Sequence, residues 1–310
     1  MLKKLGLRKL AVTTSALFIM GLIYLFPTNN EELKIEKNIT YIEPDEIYEV
    51  YLVDKNDYVS MVTLPLDSTE LVDILKEKIE YLIVDGEKQN DVPNGFKPII
   101  PEGTEILDLK VEENTVTINF SESLKNIDQE HEENMIEAIV YTLTNESNIK
   151  KVYIKINGEI LERLPNSNKL LPIPLDRSYG INKFYDFNNL YGLTKTTIYY
   201  VSSNGDLTYY IPVTKVSNDN REKITVIIDE LKSNVVYQSN LSSYLNANAE
   251  LEEYEIIEDA MHLSFNNKIF DSLINQNILE EVEYSISLSV KDNYDVNEVI
   301  FYVDDNLIMN

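Results

Sequence analysis

The segment Val50-Tyr-Leu-Val-Asp54 decides the fold, because it opens a pattern that the chain contains twice. An Asn56-Asp57 turn and a second apolar run, Tyr58–Pro65, follow it, which together predict a β-hairpin. About 147 residues later the pattern returns, in order, as Ile198-Tyr-Tyr-Val201, Asn204-Gly205 and Leu207-Thr-Tyr-Tyr-Ile211-Pro212. The two copies also end alike, with Val152–Gly158 matching Val299–Asp305. A duplication of this length predicts two similar domains rather than a solenoid of short repeats.

Periodicity predicts the remaining elements of the first copy. A helix carries apolar residues on one face, with Ser68 expected as its N-cap and Gly86 at its C′ position: Leu71, Ile74, Leu75, Ile79 and Leu82. A second hairpin joins Glu105–Val111 to Thr115–Phe120, and a second helix spans roughly 130–145. Val152–Ile156 alternates as a last strand.

The second copy repeats this order with one ambiguous segment. Its first hairpin is expected at 196–213, its first helix at about 220–232 and its second hairpin at about 254–266. Residues 278–290 alternate like a strand yet also repeat every four residues like a helix. Subtracting 147 aligns Val282, Ile286 and Val290 with the second helix of the first copy, which favours a helix.

Each copy therefore has the order ββ-α-ββ-α-β, which predicts an α+β fold with two tandem domains. In each, a small, mainly antiparallel sheet would carry two helices on one face. We expect a first domain over 47–160, a linker over 161–195 and a second domain over 196–310. The linker holds Asp176–Asn182 and apolar residues that favour packing over a free tether: Leu170, Leu171, Ile173, Phe184, Tyr185 and Phe187.

The N-terminus predicts a membrane anchor. Residues 1–28 combine a basic start (Lys3, Lys4, Arg8 and Lys9) with an uncharged, mostly apolar run over 10–26, which at about 1.5 Å per residue reaches about 25 Å as a helix. A cleaved signal peptide is the alternative, although Pro27-Thr28-Asn29 is a poor cleavage site. The polar residues 29–46 form a spacer, and the positive-inside rule places the rest of the chain outside the cytoplasm.

Composition excludes several functions. The chain carries a net charge of −26, which repels nucleic acid and anionic lipid headgroups, so no nucleic-acid partner is expected. It has no cysteine, which rules out disulfides, thiolate metal sites and a cysteine nucleophile.

Candidate catalytic and metal sites are weak, so we predict no enzyme activity and no cofactor. Asp54–Tyr58 begins like a calcium loop but lacks the glycine and the glutamate that such a loop needs later, so a hairpin turn is favoured. The two histidines, His131 and His262, fall in different copies, which disfavours a metal site and a Ser-His-Asp site alike. Paired carboxylates of a wall hydrolase and a tyrosine platform for sugars stay open as alternatives. Four tyrosines in predicted strands favour packing: Tyr199, Tyr200, Tyr209 and Tyr210.

The loop 93–104 contains one candidate binding site. Asn94, Gly95 and Phe96 form a tip that could present the phenyl ring to a partner protein. The alternative, which we favour, is that proline and glycine serve backbone geometry and that Phe96 packs under the sheet.

The ordered motifs resemble the GerM family of sporulation and spore-germination proteins, which carry two tandem GerMN domains. The resemblance rests on several segments: Tyr51–Asp54, Thr63–Pro65, Glu80–Leu82, Pro93–Phe96, Ile100–Thr104, Asn119–Ser121, Thr142–Thr144, Ile156–Gly158 and Gly180–Asn182. It implies domains similar to the ring-building motifs of secretion systems. It also implies a non-enzymatic extracytoplasmic protein that helps to assemble the complex spanning the membranes between mother cell and forespore. Family members are often lipoproteins; this chain lacks the cysteine for a lipid, so anchoring would depend on residues 10–26.

The expected partners are other envelope or sporulation proteins and, through residues 10–26, the membrane. A cell-wall or glycan-binding module with peptidoglycan contact is the second hypothesis, and a carboxylate-based wall hydrolase is the third.

Overall fold

A computed structural model describes residues 47–146, 148–205, 207–233, 240–271, 277–303 and 306–308. None of the helices in these ranges has both the length and the apolar character needed to cross a membrane. The predicted anchor at 10–26 and the spacer lie outside the described residues.

The first copy has the predicted order of elements. Its strands are β1 (Ile47–Asp54), β2 (Val59–Pro65), β3 (Phe96–Lys97), β4 (Ile106–Glu112), β5 (Thr115–Phe120), β6 (Lys151–Ile156) and β7 (Glu159–Ile160). Its helices are α1 (Leu71–Glu80) and α2 (Glu132–Leu143). The short strands β3 and β7 were not predicted.

The second copy follows the same order after a linker strand, β8 (Phe184–Asp186). Its strands are β9 (Thr194–Asn204), β10 (Leu207–Ser217), β11 (Leu251–Ile257), β12 (Ala260–Phe265), β13 (Glu298–Val303) and β14 (Asn306–Leu307). Its helices are α3 (Lys223–Lys232) and α4 (Glu280–Asn293). The ambiguous segment is therefore helical: Val282, Ile286 and Val290 are buried at four-residue spacing, whereas Tyr284 is exposed.

The sheets differ from the prediction of one sheet for each copy. The first hairpin of each copy, β1-β2 and β9-β10, contributes to one shared six-stranded sheet. Its strand order is β3-β1-β2-β10-β8, and β9 also pairs with β10. Each copy then has its own four-stranded sheet, β4-β5-β6-β7 or β11-β12-β13-β14. In both, one central pair is parallel (β5 with β6, β12 with β13), because helix α2 or α4 forms the crossover between its strands. One apolar core contains residues of both copies, among them Ile139 and Ile286.

The N-terminus of α1 corrects the predicted cap. Glu70, not Ser68, is the N-cap residue, and its side chain makes no capping bond. Instead the carboxylate of Glu77, inside the helix, accepts the backbone N–H groups of Asp67 (3.0 Å) and Ser68 (2.9 Å) and pairs with Lys88. The helix ends before Tyr81, so Gly86 lies beyond its C′ position.

The ionisation of Glu77 should make the free energy of unfolding depend on pH. Burial opposes its ionisation, but the bonds from Lys88, Asp67 and Ser68 outweigh burial and lower its pKa to about 2, from 4.5. Because the folded-state pKa is the lower one, this stabilisation is complete above pH 4.5 and is lost as the pH falls towards 2. Glu77→Gln should lower the free energy of unfolding by about 2 kcal/mol at pH 7 and by much less at pH 2.5. Urea unfolding at both pH values measures this; the exposed Glu102→Gln is the control, and an equal loss at both pH values would refute the role of the charge.

Candidate functional site

The junction of the two copies is the most elaborate polar site of the described chain. In the shared sheet the order β1-β2-β10-β9 places equivalent hairpins on either side of a seam between β2 and β10. A single antiparallel residue pair, Met61 and Tyr210, bridges that seam. The two halves of the sheet are therefore related by an approximate twofold axis that runs through the seam.

Equivalent residues make equivalent contacts on both sides of this axis. The backbone N–H of Tyr51 donates to Thr142 Oγ1 (3.0 Å), and that of Tyr199 donates to Ser289 Oγ (2.9 Å). A hydroxyl on the second helix of each copy thus satisfies a strand N–H of the same copy. The hydroxyls of Tyr51 and Tyr199 are themselves 3.1 Å apart.

Arg177, from the linker, joins the two halves. Its guanidinium donates to Asn145 Oδ1 (3.1 Å) in the first copy and to Asp292 Oδ1 (2.7 Å) in the second, at positions 147 residues apart. The guanidinium also lies over the ring of Tyr141, with 4.7 Å from Cζ to the ring centroid. Only 1 % of the Asp292 side chain is exposed, so the carboxylate of this ion pair is almost fully excluded from solvent. Such a buried pair holds its partners only while both charges are present.

The tyrosines around Arg177 stay neutral. Burial, followed by the charge of Asp292, raises the pKa of Tyr141 and of Tyr199 well above the usual value. Burial also raises the pKa of Tyr51. These hydroxyls therefore serve as hydrogen-bonding groups, not as acids or bases near neutral pH.

A groove of about 620 Å³ opens beside this junction. Its carboxylates are engaged within the protein: Asp295 pairs with Lys150 (3.0 Å), and Asp292 with Arg177. Glu49 accepts from the amide of Asn145. A glycosidase needs one carboxyl group poised as an acid beside a second carboxylate. The groove instead uses its acids to hold side chains in place.

A second linker residue, Asn182, closes the seam itself. Its side-chain oxygen accepts the N–H of Val59 (2.9 Å), and its amide donates to the carbonyls of Val59 and Pro212, both at 2.7 Å. One side chain thus bonds to β2 and to β10 where those strands pair only once. Its own N–H donates to the buried Glu137 (2.8 Å).

The backbone before Asn182 requires glycine. Gly180 has φ +85° and ψ 167°, a conformation almost restricted to glycine. A Cβ there would lie 3.1 Å from the Thr214 side chain. The Gly180–Asn182 motif therefore brings the linker close to β10.

The predicted loop site packs against the second copy. Phe96 is 8 % exposed, and its ring meets that of Tyr209 edge-on at 4.8 Å between centroids. The carbonyl of Asn94 accepts from Asn204 Nδ2 (2.7 Å). Gly95 has φ +96°, and the Asn204 amide occupies the place of a Cβ. The Phe96 ring is thus committed to an internal contact; binding of a partner by Asn94 and Gly95 stays a prediction.

The other residues considered for chemistry are separated. Asp54, at the predicted hairpin turn, accepts the N–H groups of Asn56 (2.8 Å) and Tyr58 (2.9 Å) and the hydroxyl of Tyr209 (2.9 Å). His131, in the first copy, lies near Glu130. His262, in the second copy, has its Nδ1 atom 3.1 Å from the hydroxyl of Tyr302 in the same copy. Among the described residues no cluster of histidine and acidic side chains is placed to hold a metal ion.

Sequence reasoning missed Arg177 and Asn182 as bridges, although it noted the segment that contains them. One signal was available: the chain has only four arginines among 27 basic residues. An arginine kept in a lysine-rich chain favours a site that needs a planar, forked donor.

The sheet of the second copy has an exposed edge. Strand β11 is an edge strand of its sheet: in the part of the chain that the structure describes, it pairs with β12 on one side and with no strand on the other. Tyr254, Ile256 and Ile257 are exposed along it, Ile256 by 49 %. An open strand edge with apolar side chains is a typical site for pairing with another chain.

The fold and these sites define a class: a two-domain α+β scaffold whose polar network holds its domains together. The sequence matches the family described as "Germane: Sporulation and spore germination" at residues 49–162 and 197–308. The chain belongs to this family. It is 35 % identical over 257 residues to the spore germination protein GerM of Bacillus subtilis (strain 168), across 81 % of this chain and 69 % of that protein.

A solved structure supports the same relationship. The tandem GerMN domains of the sporulation protein GerM from Bacillus subtilis superpose with a TM-score of 0.75 at 34 % identity. The alignment covers 83 % of this chain and 90 % of that one. The predicted resemblance and the α+β tandem fold are thus confirmed. The family matches leave residues 163–196 uncovered, which include Arg177 and Asn182.

Proposed function

We propose that this protein is a membrane-anchored, extracytoplasmic assembly factor of sporulation or germination that acts without enzymatic chemistry. Its relatives are named as sporulation and spore germination proteins. In this proposal residues 10–26 hold the chain in the cell membrane, and the folded part lies between mother cell and forespore. There it stabilises a protein complex that spans the envelope.

The observation that carries a scaffolding role is the exposed edge of β11. At the junction the ion pair of Arg177 and Asp292 holds the two copies together, whereas β11, in the described part of the chain, offers an unpaired strand edge with apolar side chains. A partner could add a strand to this edge. The glutamates of β11, Glu252, Glu253 and Glu255, discourage random pairing and favour a partner with basic residues.

Ile256→Lys should impair this function without unfolding the protein. A lysine at the exposed edge keeps its charge in water in the free protein but must be desolvated when a strand pairs there. We expect the yield of heat-resistant spores to fall at least about tenfold in a gene-deletion strain complemented with this variant. Leu207→Lys, also at an exposed apolar strand position, is the control.

Crosslinking pull-downs during sporulation should lose partners with Ile256→Lys and keep them with Leu207→Lys. Normal spore yield and germination in the deletion strain itself would refute the sporulation role. A normal spore yield with Ile256→Lys would refute only the role of the β11 edge and would leave the sporulation role intact.

One observation favours glycan binding as a second candidate. His262 of β12 and Tyr302 of β13, in the four-stranded sheet of the second copy, are half-buried and stack at 5.6 Å between ring centroids. A cavity of about 320 Å³ lies there, lined also by Glu253 and Glu255. Aromatic rings beside carboxylates are suited to sugar hydroxyls and ring faces.

If this face binds the cell wall, Tyr302→Ala should release the protein from purified peptidoglycan in a sedimentation assay. Tyr284→Ala, at an exposed tyrosine of α4, should leave retention unchanged. No retention of the unaltered protein would exclude this candidate. If the protein releases no fragments from purified cell wall at any pH, a wall hydrolase is excluded too.

A further inference from the structure

The linker carries an exposed apolar surface outside the family-matched residues. We call residues 187–193, which connect β8 to β9, the linker tip. Leu190 is 75 % exposed and Tyr191 is 86 % exposed. Tyr185, just before the linker tip, and Phe187, its first residue, are also exposed and make an edge-to-face contact at 6.0 Å between ring centroids. The inward packing predicted for the apolar linker residues is therefore wrong for four of them, which are exposed: Leu170, Ile173, Tyr185 and Phe187. Leu171, Leu175 and Ile181 are the buried linker residues.

Several polar groups of the linker tip are bonded within the protein. Asn218 accepts the N–H of Asn188 (3.2 Å) and donates to the carbonyls of Asn189 (3.2 Å) and Tyr191 (2.8 Å). The N–H of Tyr191 donates to Asn189 Oδ1 (2.9 Å). These bonds satisfy the N–H groups of Asn188 and Tyr191 and the carbonyls of Asn189 and Tyr191. This part of the backbone can therefore leave water without losing hydrogen bonds, which favours contact with lipid.

The charges beside the linker tip are also paired. Asp186 pairs with Lys215 (2.9 Å), and Asp219 pairs with Arg221 (2.7 Å). Each of these cations also binds a second carboxylate, Lys215 that of Glu230 and Arg221 that of Asp229. The charged groups beside the linker tip are therefore engaged with one another around the apolar side chains. A protein partner would gain few specific polar contacts here, whereas the boundary between lipid headgroups and acyl chains requires none. Leucine and tyrosine both suit that boundary.

We infer that the linker tip contacts the lipid surface of the membrane, with Leu190 and Tyr191 inserted at the boundary between headgroups and acyl chains. This inference rests on the proposed anchor at 10–26. The 20 residues at 27–46 span at most about 70 Å when fully extended, so the folded part stays near the bilayer. The linker tip thus provides a second membrane contact.

The absence of tryptophan from the chain allows a direct test. The full-length protein with Tyr191→Trp is reconstituted into phosphatidylcholine vesicles whose acyl chains carry bromine, which quenches nearby tryptophan. Because an interfacial side chain lies about 5–10 Å deep, emission should fall about twofold relative to unbrominated vesicles. Leu170→Trp is the matched control, since Leu170 belongs to the same linker and is 69 % exposed. Adding Leu190→Ser to Tyr191→Trp should reduce the quenching.

The outcomes separate this inference from the anchor. Quenching of the Tyr191→Trp variant but not of the Leu170→Trp variant supports it. Vesicles that retain the Tyr191→Trp variant without quenching its emission refute the inference and leave the anchor intact. Failure of the vesicles to retain the protein refutes the anchor on which it rests. If the introduced indole of Tyr191→Trp becomes buried with rising protein concentration in the absence of lipid, the linker tip serves self-association, which refutes the inference as well.

Discussion

Replacing Arg177 with methionine should lower the free energy of unfolding by about 4 kcal/mol. The substitution leaves Asp292, of which 1 % of the side chain is exposed, without its cation, and an unpaired buried charge costs about 3–5 kcal/mol. It also removes the bond to Asn145 and the contact with the ring of Tyr141. The measurement is urea denaturation. Because the copies share a sheet, the unaltered protein should unfold in one transition, whereas Arg177→Met should broaden it or split it in two.

Two further variants identify the cause. Arg163→Met removes an exposed arginine whose guanidinium, among the described residues, bonds only to the nearby carbonyl of Asn168, so it should cost about 0.5 kcal/mol or less. Combining Arg177→Met with Asp292→Leu should recover most of the lost stability, because apolar residues often replace a buried ion pair at little cost. If Arg177→Met and Arg163→Met had equal effects, Arg177 would not bridge the copies.

Asn182→Ala should cost about 3 kcal/mol. It leaves the N–H and carbonyl of Val59 and the carbonyl of Pro212 without their bonds at the seam of the shared sheet. It also places alanine at φ +45°, where asparagine is better tolerated. Hydrogen exchange should show faster exchange of amides along β2 and β10 than in β12, because the loss is local to the seam.

Asn168→Ala is the matched control for this prediction. Asn168 has φ +57° and lies in the same linker, but no bond of its side chain bridges β2 and β10. It should therefore show only the backbone effect of about 1 kcal/mol. Equal losses in the two variants would mean that the side chain of Asn182 does not hold the seam.

The local elements could be predicted from the sequence because their signals are local. The alternation of Thr115–Phe120 and the four-residue spacing of Met135, Ile139 and Leu143 each reflect one buried face. The duplication supplied the information that periodicity lacked for α4. The predicted cap of α1 was wrong because the bonds at the start of this helix involve Glu77 and Lys88, which lie later in the chain.

The shared sheet and its bridges could not be predicted in this way. The seam depends on one residue pair between β2 and β10, 149 residues apart, and no pattern within either strand encodes that partner. Phe96 illustrates the same limit. Its loop favoured a ring packed under the sheet, but nothing in the loop identified the residue that the ring contacts, which is Tyr209, distant in sequence.

The approximate twofold axis gives the junction the geometry of a homodimer whose two subunits have become one chain. In a true homodimer any substitution near the axis occurs twice, so Asn145 and Asp292 would have to be identical. A pair of aspartates there would bring two negative charges to one arginine. A pair of asparagines would leave the arginine without any negative charge beside it. Fusion removes that constraint: one half keeps an amide, the other keeps a carboxylate, and a single arginine from the connecting segment matches both.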